Sequence, residues 1–229
     1  MAKNKKKRKI ASVLSILLVL ALAVGGTFAL YTYYTAGQTN TFTFVADPKS
    51  GIAITIQEPA WNQPTALNIG DLSSAGTSVP KNPSFTNSSA TSKADVYGAL
   101  RIVWVKGDGT ALSQSEFDTY VKPYVSLTAL DTTDYTGPTT PLSAPKEVYY
   151  YNNAVAYNAS SKPLFTAVAF SAATTSDAND YLAAQQEWIT WGGFEIVVEG
   201  SAVDTTGLAN AAAAQTQLAG LFSTSKYGL

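Results

Sequence analysis

The stretch VYGALRIVWVKGDGT, residues 96–110, decides the fold class of this chain. Its first eleven residues are rich in β-branched and aromatic side chains, which fit a pleated, half-buried surface. The stretch then runs into Gly107-Asp108-Gly109, a combination typical of a turn. It therefore predicts a β-strand that ends at a tight turn.

Similar strand signals lie on both sides of this stretch. Apolar residues alternate with a period of two in 41–46 and 51–57. Further candidates, separated by Pro, Gly, Asn and Ser, are YVKPYVSLTAL (120–130), EVYYYNNAVAYN (147–158), PLFTAVAF (163–170) and FEIVVEGSAV (194–203). Many short strands with turn-rich links indicate a sandwich or a barrel. We expect one all-β domain with minor helices, since no low-complexity linker or fixed repeat divides the chain.

Three segments favour helices instead. SQSEFDTYV (113–121) has a helix-like start at Ser113 or Ser115, and SDANDYLAAQQEWITW (176–191) has a cap at Ser176 or Asp177. The tail LANAAAAQTQLAGLF (208–222) is rich in alanine and has a high helix propensity. Its weak apolar stripe predicts a core contact and consists of Leu208, Ala211, Gln215, Leu218 and Phe222.

The N-terminal residues 1–29 resemble a secretory signal in composition. Six basic residues lie within positions 3–9, and an apolar run from Ile10 to Val24 follows them. The run is shorter than the roughly 20 apolar residues that span a bilayer, and no basic flank follows it. We expect a signal peptide that is cleaved between Ala29 and Leu30. Two alternatives stay open: cleavage near Ala21-Leu22-Ala23, and an uncleaved signal anchor.

The composition excludes most catalytic and nucleic-acid functions. The chain contains no Cys and no His, so an ordinary zinc site, a Ser-His-Asp triad and a Cys-His pair are excluded. Removal of residues 1–29 leaves nine basic and 16 acidic residues, a formal charge of −7. Phosphate binding needs clustered basic residues. We therefore expect no enzyme, no cofactor and no nucleic-acid partner, and contact with the membrane only through an uncleaved signal peptide.

Several side chains are weak candidates for binding sites. The carboxylates of Asp177, Asp180 and Glu187, or those of Asp131 and Asp134, have the chemistry of calcium ligands but not the spacing of an EF-hand. Solvated turn carboxylates are commoner, so we expect no metal site. Trp61, Trp104, Trp188 and Trp191 suggest a carbohydrate platform, but three of the four lie among apolar neighbours, which favours core packing.

The carboxylates of Glu195 and Glu199 lie four residues apart on a predicted strand. This spacing places them on one face about 13 Å apart, too far for most glycosidase pairs. We expect the two glutamates on the wet face of the strand, with Phe194, Ile196 and Val198 on the buried face. The segment SVPKNPSFTNSS (78–89) predicts a sandwich hairpin, with its prolines at a strand start and a turn at Asn87-Ser88-Ser89.

Several segments resemble one known family. VGGTFALYT (24–32), SGIAITIQEP (50–59) and SVPKNPSFTNSSATSKADVYGALRIVW (78–104) are similar to the TasA and camelysin group of Gram-positive bacteria. A weaker likeness lies in LFTAVAFSA (164–172) and WITWGGFEIVVEGSAVDTTG (188–207). The group is exported with a SipW-dependent type of signal peptide, and members build biofilm matrix fibres. The resemblance implies a jelly-roll-like β-sandwich with helical insertions. Some members have been classed as metalloproteases, but this chain has no HExxH motif.

The resemblance gives residues 30–46 a role as a donor strand segment, with the β-sandwich domain at 47–229. This segment is extended, aromatic and almost uncharged, so a free strand would expose apolar rings and backbone groups. Donation of Leu30, Tyr31, Tyr33 and Tyr34 to a neighbour's sheet edge would build a homopolymeric fibre, with accessory matrix proteins as further partners.

Two alternatives to strand donation stay open. The first is a frayed tail at the N-terminus of the mature chain. The second is a monomeric exported surface or ligand-binding domain, whose contact surface would be the tyrosine-rich segment 147–158.

Overall fold

The computed structural model describes residues 43–45, 52–60, 77–170, 178–223 and 225–227. The strands among them are β1 (Thr43–Val45), β2 (Ile54–Gln57), β3 (Thr77–Pro80), β4 (Ser84–Asn87), β5 (Val96–Lys106), β6 (Val125–Thr128), β7 (Tyr135–Thr136), β8 (Lys146–Tyr151), β9 (Ala167–Phe170) and β10 (Phe194–Asp204). The helices are α1 (Gln114–Glu116), which continues as a π-helical turn (Phe117–Val121), α2 (Ala178–Thr190) and α3 (Ala211–Ser223). The prediction of a mostly β protein with minor helices is confirmed.

A five-stranded sheet in the order β1-β10-β5-β8-β7 forms the centre of the fold. Its two long strands, β5 and β10, pair antiparallel along their whole length, from Phe194 opposite Lys106 to Asp204 opposite Val96. β5 is the strand predicted from residues 96–106, and the predicted turn follows it at Gly107-Asp108-Gly109. Gly109 has a φ of +80°, a conformation that glycine adopts without steric cost.

The two-stranded sheet β2-β4 packs face to face on the five-stranded sheet. Gly98 of β5 and Gly200 of β10 make this contact possible, because a side chain at either position would collide with the second sheet. A Cβ at Gly98 would lie 2.3 Å from Cζ of Phe85, and one at Gly200 would lie 2.4 Å from Cδ1 of Ile56. β4 therefore lies over β5, and β2 lies over β10.

The third sheet has the order β3-β9-β6, and both of its pairings are antiparallel. β3 pairs with β9 while β4 pairs with β2, so the segment 78–89 connects two sheets. The predicted hairpin in this segment is therefore wrong. The turn predicted at Asn87-Ser88-Ser89 is present at the end of β4, where Asn87 Oδ1 accepts the N–H of Ser89 at 3.1 Å. The buried Asn87 amide donates to the carbonyls of Ala94 and Val155.

The helices cover different parts of the sheets. α2 buries Tyr181, Ala184 and Trp188, and Trp188 stacks edge-on against Phe194 with their ring centroids 5.2 Å apart. α3 lies on the opposite face of the five-stranded sheet. Its buried residues there are Ala214, Leu218 and Phe222, which pack with Ala99 of β5. The three predicted helical segments are confirmed, although only Leu218 and Phe222 of the predicted stripe are fully buried.

Candidate assembly surface

In the described part of the chain, the edge of β10 that faces β1 is paired along three residues. β1 runs parallel to β10 and covers three of its eleven residues, with Thr43 opposite Glu199 and Val45 opposite Ser201. Phe194–Val198 and Ala202–Asp204 have no paired strand on this side among the described residues. Unpaired backbone groups of this kind are the template on which another strand adds.

The edge of β2 lies above this part of β10. β4 is flanked on its far side by residues 158–161, since Asn87 donates its N–H to Ala159 (2.9 Å) and Ser161 donates to Phe85 (2.8 Å). Among the described strands, β2 is therefore the outer one of its sheet on the side of β1. Ile54 and Ile56 are buried against Gly200, so the two sheet edges lie one above the other with apolar side chains between them.

Two other sheet edges carry obstructions. On the far side of the five-stranded sheet, residues 137–145 lie against β8, where the buried Glu147 carboxylate accepts N–H groups from Leu142 (2.9 Å), Ser143 (2.6 Å) and Ala144 (3.2 Å). Gly137 packs so closely on Tyr149 that a Cβ would lie 2.4 Å from its ring. The edge strand β3 ends in Pro80, which has no N–H to donate.

A buried ion pair lies under the partly paired edge. The Arg101 guanidinium and the Glu199 carboxylate are both fully buried, and Arg101 Nε donates to Glu199 Oε2 at 2.7 Å. Arg101 also donates to the Phe222 carbonyl (3.3 Å) and the Ser225 hydroxyl, and it stacks on the Phe222 ring. The prediction that Glu199 lies on a wet face is therefore wrong, because α3 and the residues after it cover that face.

Two buried side-chain oxygen atoms of β10 have no hydrogen-bond partner among the residues that the structure describes. They are Glu199 Oε1 and Ser201 Oγ, and both belong to the residues of β10 that pair with β1. Buried polar atoms without partners are rare in folded proteins and are costly.

The predicted assembly residues lie mostly outside the described part of the chain. This holds for the cleavage site Ala29-Leu30 and for the donor residues Tyr31, Tyr33 and Tyr34. Within the segment 30–46, the structure describes Thr43–Val45, which pair with β10 of the same chain. Residues 30–42 of the donor segment lie outside the described part of the chain.

The tyrosine-rich segment 147–158 of the alternative interpretation is partly buried: its strand β8 points Tyr149 and Tyr151 into the core, whereas residues 152–154 are exposed. Tyr149 and Tyr151 are buried, and Tyr151 packs against Tyr135 with ring centroids 5.0 Å apart. Burial raises the pKa of Tyr149, and the hydrogen bond that its hydroxyl donates to Glu147 acts in the same direction. These rings are not available to a ligand at the surface.

Two of the candidate metal ligands, Asp131 and Asp134, form hydrogen bonds and an ion pair within the protein. Asp131 Oδ1 accepts N–H groups from Thr133 and Asp134, both at 2.9 Å, and Asp134 forms an ion pair with Lys162. Asp180 is exposed on α2, and Asp177 lies outside the described residues. Within the described ranges, no three carboxylates converge on one point.

The described tryptophans belong to the core. Trp104, Trp188 and Trp191 are buried, as predicted, and Trp188 Nε1 donates to the Tyr120 carbonyl at 2.9 Å. Trp61 lies outside the described residues. The three buried rings therefore form no exposed platform for a carbohydrate.

Comparisons with known proteins add no relative. No family model, no curated protein and no solved structure matches the chain. In the part of the chain that the structure describes, no helix has both the length and the apolar character needed to cross a membrane.

Proposed function

We propose that this protein is a structural subunit of an extracellular biofilm matrix fibre. After cleavage between Ala29 and Leu30, residues 30–42 of one subunit add to a sheet edge of the next subunit. The partner is thus a second copy of this chain, with accessory matrix proteins as further partners, and the location is the cell exterior. Support comes from the leader-like N-terminus and from the resemblance to the TasA and camelysin group.

The observation that carries the proposal is the uneven pairing of β10. Its eleven residues pair fully with β5, whereas on the other side the described residues of β1 pair with Glu199–Ser201. The five residues Phe194–Val198, beside which the described part of the chain places no strand, are equal in number to Leu30–Tyr34. A strand that adds here would lie beneath the outer edge of β2, where its alternate side chains meet the apolar space around Ile54 and Ile56.

The proposed architecture is a jelly-roll-like β-sandwich. The face-to-face packing of β2-β4 on β10-β5 supports the sandwich, and the passage of the chain from β3 to β4 between sheets supports a topology with crossovers. In such a fold, the added strand would complete one side of the sandwich.

The test is to remove the donor segment and measure assembly. A mature protein that starts at Gln38 should fold but stay monomeric, whereas one that starts at Leu30 should form filaments. Circular dichroism and thermal unfolding report the fold, while sedimentation and electron microscopy report the filaments. Filaments from the shortened protein would overturn strand donation.

A single substitution gives a sharper comparison. Thr32→Pro removes an N–H group from the centre of the donor strand and should abolish filaments, because proline cannot donate to the ladder. Thr32→Ala keeps the N–H group and should still assemble. Equal assembly of both variants would show that backbone pairing by residues 30–34 does not drive the fibre.

A further inference from the structure

The side chains of Lys81 and Glu58 form an ion pair that is almost completely buried. Lys81 Nζ lies 2.6 Å from Glu58 Oε1, and the two side chains are 4% and 3% exposed. Glu58 directly follows β2, and Lys81 directly follows β3. The contact therefore joins the ends of two strands that belong to different sheets.

Burial makes the charged form of this pair unfavourable. Two charges taken out of water lose their hydration, and their mutual attraction often fails to compensate for this loss. Burial lowers the pKa of Lys81, although the neighbouring Glu58 acts to raise it. A lowered pKa favours the uncharged amine, which is the nucleophilic form of a lysine side chain.

A second carboxyl group, that of Glu195, also influences Lys81. An ionised Glu195 would favour the ammonium form of Lys81 through its charge. Burial raises the pKa of Glu195, however, so this group holds a proton more readily than an exposed glutamate does. Protonation of Glu195 removes its negative charge and so favours the uncharged amine on Lys81.

We propose that Lys81 and Glu58 condense into an intramolecular amide. The Lys81 Nζ lone pair attacks Cδ of the protonated Glu58 carboxyl group, a C–N bond forms, and the C–OH bond breaks. The hydroxyl group leaves with a proton from the amine as one molecule of water. An ammonium and a carboxylate thereby give an amide and water, so the step consumes no oxidant, reductant or cofactor.

The amide would replace two buried charges by one neutral group. It would close the segment 58–81 into a covalent loop and connect β2 to β3, as a disulfide does in other exported proteins. The chain has no cysteine with which to form such a disulfide. This inference goes beyond the fibre function and does not depend on it.

Mass spectrometry of the folded protein tests the proposal. The intact mass should be lower than the sequence mass by one water. Trypsin does not cleave after an acylated lysine, so digestion should give a peptide of residues 50–93 that lacks one water. An unmodified intact mass, together with the ordinary peptide 50–81 after prolonged incubation of the folded protein, would overturn the proposal.

Two controls separate the amide from a simple ion pair. Lys81→Arg keeps a positive charge beside Glu58 but should show the full sequence mass. Lys106 and Glu116 are also 2.6 Å apart, but their side chains are 23% and 29% exposed, so water stabilises their charges and they should stay unlinked. A loss of water that persists in Lys81→Arg would also contradict the assignment.

Discussion

At the residue scale, Gly98 and Gly200 determine how closely the two layers approach. Each lies in one of the two long central strands, where glycine is normally unfavourable because it packs no side chain. Here the missing side chain is the favourable feature, since Phe85, Ile54 and Ile56 fill the space. The contact of the layers therefore depends on two positions without a Cβ.

Substitution of Gly98 by alanine should destabilise the protein. The new Cβ would lie 2.3 Å from Cζ of Phe85, and overpacking of this kind costs about 1–3 kcal/mol. Gly220→Ala is the matched control, because a Cβ at this position in α3 has no neighbour within 4 Å. It should stabilise the protein by roughly 0.5–1 kcal/mol. Urea unfolding measures both changes, and equal effects would contradict the packing argument.

The sequence predicts the surroundings of some residues correctly and those of others wrongly. Alternation in FEIVVEGSAV correctly places Glu195 and Glu199 on one face of β10, but it does not show that α3 covers this face. A lone arginine within VYGALRIVW is the signal that would have indicated a buried pair, because an isolated charge in an apolar strand needs a partner. Lys81 between Pro80 and Pro83 carries no comparable signal in the sequence.

At the element scale, α1 shows how a short helix begins. Its first turn has a capping box, in which the Ser113 side chain accepts the N–H of Glu116 and Glu116 accepts the N–H of Ser113. Glu116 also accepts a hydrogen bond from Lys106 Nζ at the end of β5. The hydrogen bonds from Lys106 and then from Ser113 lower the pKa of Glu116 from 4.5 to about 2.

The stability of the protein should therefore depend on Glu116 in acid. A carboxyl group whose pKa is lower in the folded state contributes stability above its unfolded pKa, and this contribution is lost as the pH falls through the folded pKa. The difference in unfolding free energy between the wild type and Glu116→Gln should be constant above pH 4.5 and should shrink between pH 4.5 and about 2. Urea unfolding at a series of pH values measures it. A difference that does not change in this window would contradict the assignment.

The helices and strands were easier to predict from the sequence than the pairing of the strands. Periods of two and of 3.6 residues are local, so β5, β10, α2 and α3 are visible in the sequence. Which strands pair is decided by contacts between residues far apart in the chain, such as Gly98 with Phe85 and Gly200 with Ile56. The separation of β3 and β4 into different sheets follows from such contacts, and turn signals alone predicted a hairpin there.

At the scale of the whole molecule, residues 30–229, which form the proposed mature chain, carry a formal charge of −7. Subunits with the same net charge repel each other, and salt screens this repulsion over a distance of about 10 Å at 0.1 M. Filament formation should therefore become faster between low and moderate ionic strength, as measured by light scattering.

A charge variant provides the control for this salt dependence. Asp95 and Asp180 are exposed, and the double substitution Asp95→Asn with Asp180→Asn makes the subunit less negative without a change in side-chain shape. The variant should assemble faster at low salt and respond less to added salt. Slower assembly with added salt in the wild type would instead indicate attraction between opposite charges on neighbouring subunits.

The position of the partners of Arg101 along the chain has a consequence for biosynthesis. Arg101 pairs with Glu199, 98 residues later, and its bond to the Phe222 carbonyl spans 121 residues. During synthesis from the N-terminus onward, β5 therefore carries a charge without its carboxylate partner until Glu199 has been added. The five-stranded sheet cannot bury this charge as an ion pair at an earlier stage. The arrangement postpones closure of the sheet until β10 has been synthesised, so the preceding residues would stay unfolded for longer.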